Sequence, residues 1–173
     1  MSNIEIMKRE LSKSVISHLL EQGFVGKWPH FRRIHTNYIE LLTFQLNKYG
    51  GSFIVEISAV FPNCNKKNYI EREDLALAEI TVWDTSHRYR LKGMYDGWFY
   101  YRDLYKKRLA FFHTHYLDVN EKEEDKFIPP KGYRLVQHFN TETAEVICHS
   151  VNFQLKQGFI WMERFVKRNL RLL

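Results

Sequence analysis

A chain of 173 residues with 45% hydrophobic, 27% charged and 16% aromatic side chains has globular composition, which excludes wholesale disorder and fibrous or low-complexity architectures. No apolar run is long enough to cross a bilayer, and a domain of this size removes roughly 70% of its unfolded surface from water, so neither a disulfide nor a structural metal is needed for folding. The net charge of +6 is regional: residues 1–86 hold 10 Lys/Arg and 10 Asp/Glu, whereas residues 87–173 hold 16 and 10, so any electrostatic function belongs to the second half.

In chain order, Ile4, Met7, Leu11, Val15 and Leu19 draw an apolar stripe that predicts a helix of about four to five turns, capped by Ser2 or Asn3 and ended by Gly23. Residues 38–45 are rich in β-branched and aromatic side chains, and Lys48-Tyr49-Gly50-Gly51 is a glycine-bearing turn into a second strand. In that strand Phe53, Val55, Ile57, Ala59 and Phe61 alternate with Ser52, Ile54, Glu56, Ser58 and Val60, predicting a hairpin with one continuous apolar face. Shorter strands are expected at 79–83, 87–91 and 98–101, the last preceded by an Asp96-Gly97 turn. Residues 108–117 read equally as strand or helix. Residues 118–132, charged and containing Pro129-Pro130, read as an exposed loop or insertion, and 133–139 as a strand. Asn140 or Thr141 caps a final helical region striped by Ala144, Ile147, Val151 and Leu155, which Gly158 is expected to break or kink before Phe159, Met162, Phe165 and Val166. Helix, several strands and helix in that order predict a single α+β domain over 1–173, an antiparallel sheet with the N-terminal and C-terminal helices packed on one face. No phosphate-cradling Gly-rich loop and no dinucleotide fingerprint is present.

The motifs Gly23-Phe24, Phe31-Arg32-Arg33, Ile39-Glu40-Leu41-Leu42-Thr43-Phe44-Gln45 and Lys48-Tyr49-Gly50-Gly51-Ser52-Phe53 resemble the opening of a bacterial domain-of-unknown-function family, the one numbered 4304. The resemblance is best over residues 5–61 and looser downstream, where Arg88, Arg90 and Leu91, then Asp96 and Trp98, resemble the family's arginine-rich strand and later tryptophan. The length between Arg102 and Lys131 departs from the family's pattern. The resemblance implies an α+β fold and a bacterial source, and brings no activity.

Cys64 and Cys148 stand at neither metal-finger nor redox spacing, and Met1-Ser2-Asn3-Ile4-Glu5 has no signal-peptide pattern, so a cytoplasmic protein with reduced thiols is expected. His113 and His115 share a face if they lie on a strand. They are weak candidates to ligate a metal with His87, His138 or Asp118, set against the reading that they are exposed sheet-face histidines. No catalytic residue is expected. A nucleophile elbow is absent, Cys148 and His149 point about 100° apart on a helix, and the carboxylates of 121–125 sit in the charged loop. No cofactor is expected either.

The remaining candidate is a binding surface formed by Arg32, Arg33, Gln45, Arg88, Arg90 and Trp98, since arginines on strands with aromatic neighbours suit an acidic protein, phosphate or single-stranded nucleic acid. The competing reading pairs these arginines with Glu40, Glu56 and Asp96 to stiffen the sheet. Two functions follow. One is a small non-catalytic interaction domain, immunity-type proteins being an instance, that binds a protein partner through the open face of its sheet; the other is nucleic-acid binding through the basic C-terminal half.

Overall fold

The computed structural model describes residues 1–62, 76–93, 97–102, 104–105 and 135–170; the segments 108–117 and 118–132, with Cys64, Asp96, His113 and His115, lie outside the described residues. The N-terminal helical region comprises α1 (Asn3–Glu10), a π-helical stretch Leu11–Ile16 and α2 (Ser17–Glu21). Its start is set by Ser2, whose backbone N–H donates to the Glu5 carboxylate at 2.6 Å. Met7, Leu11, Val15 and Leu19 are buried, as their spacing requires. At the other end Gly23 lies at φ +86°, and the amides of Gly23 and Phe24 donate to the carbonyls of Leu20 and Leu19, each at 3.0 Å, closing the last turn.

The chain then builds an antiparallel six-stranded sheet from β1 (Val25–Lys27), β2 (His30–Ile34), β3 (Ile39–Leu46), β4 (Ser52–Val60), β5 (Tyr89–Arg90) and β6 (Phe99–Tyr100). The first five follow one another across the sheet, and β6 pairs with the opposite end of β4 from β5, joining Ser52 to Tyr100 where β5 joins Glu56 to Arg90. The expected hairpin is β3–β4, running from the pair Ile39 and Val60 to the pair Leu46 and Phe53. A separate two-stranded ribbon joins β7 (Leu104–Tyr105) and β8 (Leu135–Gln137). One sheet face carries Leu42, Phe44, Phe53, Val55 and Ile57, and these share a core with the N-terminal helix and with Ala144, Ile147, Val151, Leu155 and Met162 of α3 (Thr141–Leu170). The fold is therefore α+β with both helical regions on one face of an antiparallel sheet.

Three expectations are corrected. Residues 79–83 form no strand: Asp84 accepts from the N–H and hydroxyl of Thr81, both at 2.8 Å, and this local capping folds Val82–Asp84 into a 3₁₀ turn. The sheet face opposite the helices, expected to be open to a partner, is closed along β4, where every residue from Ser52 to Val60 is buried. There Ile39, Leu41 and Val60 pack with Ile80 and Val82, so the segment around the 3₁₀ turn covers a second, smaller core.

The third correction concerns α3, which runs unbroken through Gly158 after Asn140 and Thr143 cap it reciprocally through side chain and backbone at 3.0 and 2.9 Å. Gly158 marks a close approach and not a break. A Cβ there would stand 2.8 Å from Ile57 Cδ1 and 2.9 Å from Leu91 Cδ2, so the missing side chain lets the helix sit down on the sheet. Among the described residues no helix is long and apolar enough to cross a membrane. The substitution Gly158→Val is expected to lower unfolding free energy by about 1–3 kcal/mol through overpacking, read as a lower urea midpoint with unchanged slope; an unchanged midpoint would show that Ile57 and Leu91 do not hold the helix at this distance.

Candidate functional site

The arginines expected to converge are divided by the pleat of the strand that carries them. Arg32 and Arg33 are neighbours on β2 and leave it on opposite faces. Arg33 turns to the helical face, where its Nε donates to Glu40 Oε2 at 2.6 Å and a terminal N–H donates to the Gln22 carbonyl at 3.0 Å. Its guanidinium carbon lies 4.8 Å from the centre of the Phe24 ring and 5.6 Å from that of Phe159. Glu40, which is buried, is also 3.3 Å from Nε2 of His35, whose ring stacks on Tyr38 at 4.1 Å. Burial, with the charge of Glu40, raises the Tyr38 pKa above the ordinary phenol value.

Arg32 turns to the other face and donates to the carbonyls of Leu77 at 3.0 Å and Ile80 at 3.1 Å, clamping the 77–80 segment onto the sheet. Arg90 pairs with the buried Glu56, its terminal nitrogen and Nε 3.1 and 3.2 Å from Oε1, and its methylenes run against Gly97, the neighbour of Trp98. Arg88 and Gln45 are exposed, and Trp98 is half-buried. The six residues do not build one cleft, and the pairings expected of the competing reading are present for Glu40 and Glu56. Cys148 is buried, its thiol pushed up to about 11 by desolvation against a hydrogen bond from Ser14, while its neighbour His149 is exposed. Among the described residues no group of three or more His, Cys, Asp or Glu side chains is arranged to hold a metal ion.

Among the described residues a concave surface lies elsewhere, at the β1–β2 edge. The hairpin turn Trp28-Pro29 and the clamped 77–80 segment enclose an open groove of about 640 Å³ between them, lined by Val25, Lys27, Trp28, His30, Arg32, Ile34 and Leu77 among others. Trp28 is fixed in its floor by stacking on Phe44 of the core at 5.0 Å, with Lys8 Nζ 5.8 Å from its ring. His30 is held by Thr43 Oγ1 at 3.0 Å and by the edge of Trp83 at 4.9 Å. Val25, Ile34 and Leu77 remain 54%, 67% and 41% exposed, so the groove rim presents apolar surface to solvent. Sequence reading passes over this edge because β1 has three residues, too few for a period-two pattern; the Gly26 and Trp28-Pro29 punctuation between Phe24 and Phe31 is the signal that marks it.

Desolvation lowers the His30 pKa below the ordinary value of 6.5, with Asp84 opposing and Arg32 adding to the shift. The unfolded chain therefore takes up a proton here at higher pH than the folded one, so the contribution of neutral His30 to stability is complete above the ordinary range and declines as pH falls through it. Lowering pH from about 7.5 to about 5.5 is expected to reduce the urea midpoint more for the natural chain than for His30→Gln. Equal decline in the two proteins would contradict the assignment.

No curated protein and no solved structure matches this chain. The family model described as "Domain of unknown function (DUF4304)" matches residues 15–111, which include the Gly23-Phe24 helix end, the Arg32-Arg33 strand, the β3–β4 hairpin and the Arg90 and Trp98 region. That span covers more than half of the chain and carries both the clamp and the groove, and the chain thus belongs to the DUF4304 family.

Proposed function

We propose that this is a non-catalytic protein-binding domain, of the interaction or immunity type, that meets its partner along the β1–β2 edge. The observation that carries this reading is the groove itself, where Val25, Ile34 and Leu77 expose apolar side chains beside β1, which ends the sheet among the described residues. The sheet face opposite the helices is closed at its centre by burial of β4, which supports the rim over the middle of the sheet as the surface for a partner. Nucleic-acid binding through the second half finds less support. Arg90 is engaged by Glu56 and Lys167 by Glu163, and Arg102 donates to the Gly51 carbonyl while its guanidinium carbon lies 5.1 Å from the centre of the Tyr100 ring.

Affinity capture from an extract of the native cell tests the reading with three immobilised proteins: the natural chain, Ile34→Glu in the groove rim, and Tyr49→Glu on the 84%-exposed turn between β3 and β4. The natural chain and Tyr49→Glu are expected to retain the same protein, and Ile34→Glu to lose at least about tenfold, with urea midpoints unchanged. Equal capture by all three, or retention only of nucleic acid that is released as salt rises, would contradict it.

A further inference from the structure

We infer that the occupant of the β1–β2 groove is an extended acidic polypeptide segment of the partner, which adds to β1 as a further strand. The inference rests on the protein-binding reading above and specifies the chemistry of what binds.

Three observations carry it. First, β1 is the last strand of the sheet among the described residues: it pairs with β2 on one side, and no described strand pairs with it on the other, which is the geometry that strand addition uses. Second, this edge is barely guarded. All three residues of β1 are exposed, and its centre is Gly26, at φ +140°, where a Cβ would stand 2.4 Å from the His30 carbonyl oxygen; the hairpin thus demands glycine and leaves the middle of the edge without a side chain. Third, the groove beside the edge is basic. Lys27 and Arg32 line it with His30, and among the described residues no carboxylate does. Arg32 commits two of its five N–H groups to Leu77 and Ile80 and keeps the others for an anion. Asp84, whose charge reaches His30, is itself held by Thr81.

Charge complementarity and strand geometry together select the occupant. Residues two apart on an added strand share a face, so alternate carboxylates fall over Lys27 and Arg32 while main-chain hydrogen bonds run along β1. A second copy of this chain would bring one basic groove against another under a net charge of +6 on each molecule. A nucleic acid base finds Trp28 already stacked on Phe44 with Lys8 near its ring.

The test is selection of a random 12-residue peptide library on the full immobilised chain, followed by fluorescence anisotropy of a selected peptide. The expected result is enrichment of proline-poor sequences with acidic residues at alternate positions. Their binding should weaken roughly tenfold in Lys27→Glu and disappear when alternate backbone nitrogens of the peptide are methylated, which removes its main-chain donors while keeping its charge. Selected peptides without acidic enrichment, or binding indifferent to N-methylation, would overturn the inference while leaving the capture experiment above to decide the broader reading. The inference is equally overturned if no peptide is selected, if a single-stranded oligonucleotide binds the natural chain and is lost in Lys27→Glu, or if sedimentation shows a dimer that Lys27→Glu dissociates. Binders that tolerate both Lys27→Glu and Ile34→Glu would contradict both readings, since their site lies away from the groove.

Discussion

A nine-residue strand buried on both faces has to be covered twice, and this requirement organises the protein. On one side β4 presents Phe53, Val55, Ile57 and Ala59, and the two helical regions cover them as a conventional apolar core. On the other it presents Ser52, Ile54, Glu56, Ser58 and Val60, a mixed set that apolar packing alone cannot bury without large desolvation costs. The structure supplies partners one by one. Asn47 donates to the Ser52 hydroxyl at 3.1 Å, Arg90 pairs with Glu56, and Ser58 donates to the His87 carbonyl at 2.6 Å. Ile80 and Val82 meet Val60 where the strand is apolar again. The polar members of the alternation are thus inward-facing and hydrogen-bonded.

The Arg32-Arg33 pair links the two covers. A strand sends adjacent side chains to opposite faces, so two identical residues do two different jobs. Arg33 neutralises Glu40 beneath the helices and stacks on Phe24 and Phe159; Arg32 crosses to the second face and fixes the carbonyls of Leu77 and Ile80. By holding that segment Arg32 also makes one wall of the groove, and Trp28, pinned on Phe44, makes the floor. The groove is consequently a by-product of how the second face is closed.

Much of the fold is legible in the amino-acid order because its signals are local. The four-residue spacing from Met7 to Leu19, Gly23 after the helix, and the Gly50-Gly51 turn each specify an element without reference to anything distant. Where tertiary contact decides, the local signal misleads. Gly158 carries the composition of a helix break, yet its role is set by Ile57 and Leu91, both remote from it in the sequence. The alternation of β4 marks one apolar face and gives no sign of a cover on the other, because the residues that cover it, at 80–90, are remote in sequence. Of the candidate residues, the arginines were legible by type and their partners Glu40 and Glu56 by charge, while the groove was not, since it is assembled from a three-residue strand, a turn and a distant segment.

The central claim is that Arg32 holds the 77–80 segment and so closes the second face and shapes the groove. Amide hydrogen exchange of the natural chain against Arg32→Gln tests it directly. Exchange in 79–86 is expected to quicken by about tenfold or more in the variant, with α3 and the helix-facing side of β3–β4 unchanged. Identical exchange over 79–86 in the two proteins would show that the segment is held by something other than this arginine and would contradict the account.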